Sequence, residues 1–209
     1  MGAGLLHDYA ALASECRGLT ANETSQKLGG ILAAIWADDY VQTCPPNPEI
    51  LTIAFGSTDL SKPFCRYMFH QSSADPRAET AIDDRCEDRV VAVWGRSGGE
   101  PASSRDKSRA GGFLRRVWSR RFPNNDRGHF FAHTMGGGLD INLFPQDSRL
   151  NRGGLWRRME HYCATHPGTF CFIRPIYRDA DWRPHLLEYG IFKMRGDSDL
   201  EFWGHVFEN

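Results

Sequence analysis

The sequence predicts an α+β fold, an antiparallel sheet preceded by a helical N-terminal region. Three observations carry this. The first forty residues hold two segments whose apolar side chains return at three- and four-residue spacing, as on one face of a helix. Most later apolar stretches are short, rich in β-branched and aromatic residues, and closed by Gly, Pro, Asn or Asp, as strands joined by turns are. No segment repeats elsewhere in the 209 residues, so neither a solenoid nor a propeller is indicated.

In chain order, "LLHDYAALASECRGL" reads as a helix ending near Gly18. "NETSQKLGGILAAIWADDYV" reads as a second, capped at Thr20 or Asn22, with apolar returns at Leu28, Ile31, Leu32 and Ile35. "TCPPNPE" breaks the chain, and there we divide a helical region, 1–45, from the remaining domain, 46–209. "ILTIAF" and "FCRYMF" read as strands around the turn "GSTDLSKP". "ADPRAETAIDDRCED" is polar and acidic and predicts a short helix, and "RVVAVWG" predicts a buried strand. "RSGGEPASSRDKSRAGG" lacks large apolar residues and predicts a mobile loop. "FLRRVWSRRF" predicts a basic amphipathic helix with Phe113, Leu114 and Val117 or Trp118 inward. Near the end, "TFCFIRPIYRD", "HLLEYGIFKM" and "LEFWGHVFE" predict antiparallel strands.

Composition narrows the class. At 209 residues with 41% hydrophobic and 24% charged side chains, the chain can bury an ordinary core. No run approaches the roughly 18 apolar residues of a membrane span, and the opening segment lacks the basic start of a signal peptide. No membrane partner is expected, and a cytoplasmic protein and an exported effector both fit. Cys16, Cys44, Cys65, Cys86, Cys163 and Cys171 are widely spaced without a CxxC pair, which argues against a zinc ribbon and favours buried thiols. Net charge is −1, but residues 1–100 carry 8 basic against 14 acidic side chains and residues 101–209 carry 17 against 12. Within 105–127 stand eight basic residues, Arg105, Lys107, Arg109, Arg115, Arg116, Arg120, Arg121 and Arg127, opposed by Asp106 and Asp126. Such a cluster suits either a polyanion site or a solvated surface.

The stretch "NNDRGHFFAHTMGGGLDINLFPQDSRLNRGGLWRRMEHY", 124–162, concentrates polar groups that packing does not require. Phosphodiester hydrolysis would use them. A base must take a proton from water, a role an imidazole fills near neutral pH. A divalent cation must offset charge on the phosphate and leaving oxygen, and magnesium keeps most of its waters, so one or two protein oxygens hold it. Cationic side chains must grip the strand. Asn151, read as standing at a helix start, would face the positive end of the helix dipole.

"DRGH", "DINLFPQ", "LNRG" and the following "ME" resemble the DNA/RNA non-specific endonuclease family, part of the ββα-metal (His-Me finger) nucleases common among secreted bacterial toxins. The resemblance covers about 126–162 and implies a ββα finger core, 124–166, on the antiparallel sheet. It implies His129 as general base, Arg127 on phosphate, Asn151 as the ligand of Mg²⁺ or Mn²⁺, Glu160 acting through cation-bound water, and Asn142 orienting the histidine or buttressing its loop. It also implies a metal-dependent endonuclease of low sequence specificity, acting on DNA and/or RNA, leaving 5′-phosphate ends and serving as a toxin or defence effector. Its partner would be an immunity protein or an activating protein docked on residues 1–100. The alternative is a silent module that keeps the fold and binds nucleic acid or a partner without cleaving. Arg96, Arg115, Arg116, Arg120, Arg121 and Arg152 are the candidate nucleic-acid contacts. Two departures stand out. Asn151 to Glu160 is nine residues, one longer than is usual in the family, which would set them on opposite helix faces; either Gly153-Gly154 forms a loop before the helix, the reading favoured because adjacent glycines make a poor helix interior, or Glu160 is not the family glutamate. Ala164 stands where the family often has arginine, with Arg157 or Arg158 as substitutes. His133, Asp140, Asp147, His185, Glu188 and Trp156 are read as structural, and Asp126 as a turn residue before a strand.

Overall fold

A computed structural model describes residues 5, 7–43, 49–71, 89–98, 122–138, 140–178, 183–195 and 199–209. The elements in chain order are α1 (Tyr9–Glu15), α2 (Ala21–Thr43), β1 (Glu49–Gly56), β2 (Phe64–Gln71), β3 (Arg89–Arg96), β4 (Asn125–His129), 3-10 turns at His133–Met135 and Asp140–Asn142, β5 (Leu143–Asp147), α3 (Ser148–Arg152), α4 (Gly154–Thr165), β6 (Phe170–Ile176), β7 (Leu186–Arg195) and β8 (Asp199–Glu208). Every strand read from sequence between "ILTIAF" and "LEFWGHVFE" falls on one of these. The acidic segment after β2, the small-residue loop after β3 and nearly all of the basic "FLRRVWSRRF" segment lie outside the described residues, as do Cys44 and Cys86.

Strand order is β1-β2-β3-β6-β7-β8, every neighbouring pair antiparallel, with β4-β5 a separate two-stranded ribbon. The fold is therefore α+β with an antiparallel sheet. Strand alternation sends successive side chains to opposite faces, and β3, β6 and β7 bury both sets. On one face Val91, Ala92, Trp94, Phe170, Phe172 and Phe192 meet Tyr9, Leu28, Leu32 and Trp36 of α1 and α2. On the other, Val93, Cys171, Ile173, Leu187, Tyr189 and Ile191 meet Phe130, Phe131, Phe144, Trp156, Met159 and Cys163 of the ribbon and α4. The result is three layers, helices, sheet and ribbon with helix. Cys16, Cys65, Cys163 and Cys171 are free thiols in these cores.

The helices form where local signals start them and burial holds them. Glu23 N donates to Thr20 Oγ1 at 3.3 Å while Thr20 N donates to Glu23 Oε2 at 2.8 Å, a reciprocal cap on α2. The cap contributes about 1 kcal/mol, whereas Leu28 and Leu32, both fully buried, contribute roughly 1.5–3 kcal/mol each. The buried stripe of α2 continues through Trp36 and Tyr40, with Ile31 and Ile35 only half-buried beside it. α1 and α2 thus spend their buried apolar faces on the chain's own sheet. Among the described residues no helix is long and apolar enough to cross a membrane.

A polar network crosses the helix–sheet interface. Arg174 on β6 donates to Glu188 on β7 at 3.3 Å and to Asp39 on α2 at 2.6 Å. Tyr9 Oη donates to the same Glu188 oxygen at 2.9 Å and accepts from Trp36 Nε1 at 3.2 Å. Burial, then the Glu188 carboxylate, pushes the Tyr9 phenol above its ordinary range, so it acts as a donor throughout physiological pH. Glu188 is fully buried, and an uncompensated charge there is costly. Arg174→Ala is expected to lower unfolding free energy by about 3–5 kcal/mol, read from urea denaturation midpoints, and an effect near zero would show the pair to be dispensable.

Candidate functional site

The ribbon is set by register. Asn125 pairs with Asp147, Asp126 with Gln146, Arg127 with Pro145, Gly128 with Phe144 and His129 with Leu143. Residues two apart share a face, so Arg127 and His129 project together, both half-buried. Glycine at 128 has a steric reason, since a Cβ there would lie 2.2 Å from Gln146 Oε1. The strand ends at His129. His133 opens a 3-10 turn, because Phe130 stacks on Phe144 at 4.1 Å and Phe131 turns into the core.

Asn142 builds the loop between the strands. Its amide donates to Phe131 O at 2.8 Å and to Gly138 O at 2.7 Å, and its Oδ1 accepts from Phe131 N at 2.8 Å. Its own carbonyl accepts from Phe130 N at 3.0 Å. Of the two roles read for Asn142, the structure shows the buttress. β5 is held in turn by Asn209, whose amide donates to Pro145 O at 2.8 Å and Pro184 O at 2.9 Å and accepts from Asp147 N at 2.8 Å.

Beyond β5, Asp147 caps α3 by accepting from Arg149 N at 2.8 Å and Leu150 N at 3.2 Å. This short helix stops at Gly153, which is extended, and Gly154 takes a φ of +67°, in the left-handed region that suits glycine. The two glycines are the break that the sequence spacing required, and they reset the helical phase between Asn151 and Glu160. The break also corrects the dipole argument. Asn151 lies in the last turn of α3, not at a helix start, so no positive helix end faces it from its own helix.

Asn151 is placed by Asp126. Its Nδ2 donates to Asp126 Oδ2 at 3.0 Å, and Arg152 donates to both Asp126 oxygens, Nε to Oδ2 at 2.8 Å and Nη2 to Oδ1 at 2.7 Å. The Arg152 guanidinium, then the Asn151 and Ser148 hydrogen bonds, outweigh burial and hold the Asp126 carboxyl below the usual aspartate range. Asp126 is therefore a strand residue that organises α3, not a turn residue. Asp126 opens the "DRGH" motif, but its partners lie 25 and 26 positions away, so the sequence did not show what it organises. Asn209 carried no sequence signal either.

Other candidates fall elsewhere. Glu160 lies on the buried face of α4 with Trp156, Met159 and Cys163 and pairs with Arg157. No direct bond among these joins it to Asn151. Arg96, read as a phosphate contact, is turned inward by α2, donating to Ala21 O and Ser25 Oγ, each at 3.3 Å. Arg152 is solvent-exposed but committed to Asp126. Glu188 belongs to the buried network, and His185 lies 2.6 Å from Arg178. Arg115, Arg116, Arg120 and Arg121 lie outside the described residues, as does the side chain of Asp140.

Among the described residues no three His, Cys, Asp or Glu side chains converge as a metal site. A structural zinc centre needs such a set, whereas magnesium is held by one or two hard oxygens and its own waters. The Asn151 amide oxygen supplies a donor of the second kind, turned away from Asp126 by the bond its nitrogen makes. The residues present fit a hydrated Mg²⁺ or Mn²⁺.

Compared with family models and with curated proteins, the chain matches none. Among solved structures it is similar to an extracellular endonuclease, at 14% identity over 78% of this chain and 91% of that one, with a TM-score of 0.41. It is also similar to the Sda1 nuclease, solved with a bound zinc ion, at 15% identity over 78% and 84% of the two chains, with a TM-score of 0.38. Both likenesses are too loose to carry an assignment.

Two outcomes follow from the loop and α4. Asn142→Ala leaves buried Phe131 and Gly138 groups without partners and should cost at least about 2 kcal/mol, with faster hydrogen exchange at the Phe131 amide. Burial raises the Glu160 pKa despite Arg157, so its contribution is complete below the ordinary glutamate range and is lost as pH rises through the raised value. As pH rises above the ordinary glutamate range, urea midpoints of Glu160→Gln should therefore gain on those of the wild type; parallel curves would contradict this.

Proposed function

We propose that the chain is a metal-dependent endonuclease that hydrolyses phosphodiester bonds in DNA, RNA or both with little base specificity. One observation supports this most. Asn151, the candidate cation ligand, is hydrogen-bonded to the same short strand that carries Arg127 and His129.

In this reading His129 accepts the proton of the attacking water as the new P–O bond forms and the bond to the leaving oxygen breaks. Arg127, on the same face, donates to the phosphate and holds it against the strand. Asn142 fixes the loop that follows His129, so the imidazole does not swing with it. Asn151 would hold Mg²⁺ or Mn²⁺, which when bound offsets charge on the phosphate and the leaving oxygen. Glu160, paired with Arg157 on α4, would act through cation-bound water. Contacts to phosphate and not to bases would make cleavage insensitive to sequence.

The test is cleavage of supercoiled plasmid, single-stranded DNA and RNA, with Mg²⁺ and with EDTA. The wild type should cut only with the cation. His129→Ala should lose about 10²–10⁴-fold in rate with an unchanged circular dichroism spectrum. A His129→Ala protein of full activity removes the proposed base, and salt-dependent DNA binding without any nicking would instead indicate a silent binding module.

A further inference from the structure

We propose that Asp126 is a positioning residue, fixing which end of the Asn151 amide faces the cation; this rests on the reading of Asn151 given above. A carboxamide has two ends of nearly equal size and opposite use. The oxygen can ligate a hard cation, and the NH₂ group repels one. Nothing in the amide's shape selects between them, so its surroundings must.

Asp126 makes the selection. A carboxylate only accepts hydrogen bonds, so it takes the Nδ2 end of Asn151, at 3.0 Å. Turning the amide over would set Oδ1 against Oδ2, oxygen to oxygen, and lose the bond. The Asn151 oxygen is thereby directed away from Asp126. Arg152 disfavours Asp126 as a ligand itself, since it bonds both carboxylate oxygens and its charge offsets theirs. The bidentate geometry also stops the carboxylate from rotating. The same three side chains tie α3, only five residues long and too short to be stable alone, to β4. Outer partners of this kind typically govern metal affinity by about 10–100-fold.

The test measures Mn²⁺ binding calorimetrically, without nucleic acid, on three proteins confirmed as folded. Asp126→Asn can offer Asn151 either a carbonyl or an NH₂ group and so permits both amide orientations; its Mn²⁺ affinity should fall at least about tenfold. Asn151→Ala should show no specific binding. If Asn151→Ala binds Mn²⁺ like the wild type, the reading of the cation site fails. If Asn151→Ala loses binding while Asp126→Asn keeps wild-type affinity, the site stands and the positioning role is wrong. A structural role alone would lower melting temperature without moving affinity below it. Should Asp126→Asn not fold, NMR of the wild type decides. Mg²⁺ should shift the Asn151 carboxamide carbon while its side-chain amide protons keep their bonded shift, and loss of that shift on Mg²⁺ binding would overturn the proposal.

Discussion

The constraint on which the rest depends is that β3, β6 and β7 are buried on both faces. A sheet whose central strands read "RVVAVWG" and "TFCFI" cannot leave either surface in water, so the chain has to supply two covers. It supplies α1 and α2 for one, and the ribbon with α4 for the other. Between the helices and the sheet, Arg174, Glu188, Asp39 and Tyr9 bond one another across four elements. The covers differ in kind. The helices present a continuous apolar stripe and little else. The ribbon presents apolar side chains inward, Phe130, Phe131 and Phe144, and keeps Arg127 and His129 half-buried at its margin.

The candidate site is built from side chains whose bonds go to backbone and to one another, with few apolar contacts of their own. Asn142 closes the loop that follows His129, Asp147 starts α3, the two glycines end it, and Asp126 gathers Asn151 and Arg152. Each replaces a bond to water with one to protein, which individually contributes only about 1 kcal/mol. Their value is directional: an amide or imidazole held by hydrogen bonds has one orientation, and a hydrophobic contact would leave it several.

What was legible in the sequence follows from the range of each interaction. The strands and both N-terminal helices were readable because period and turn chemistry are local. Trp156 was read as core for the same reason, and the break at Gly153-Gly154 followed from helix propensity and spacing. The dipole assigned to Asn151 failed because the five-residue α3 starts at Asp147, ahead of the glycines, and nothing in "DSRLN" distinguishes such a piece from loop. Arg96 looked available only because α2, its actual partner, is some seventy positions upstream. Asp126 and Asn209 were invisible as organisers, their partners being known only once the chain is folded.

Asn209 gives this long-range dependence a mechanical meaning. The strand β5 is gripped by a side chain 62 to 64 positions later, which also bonds the turn before β7. In the folded chain the ribbon is thereby fastened to the far edge of the sheet, so anything that loosens β8 from β7 reaches β5 through a single side chain.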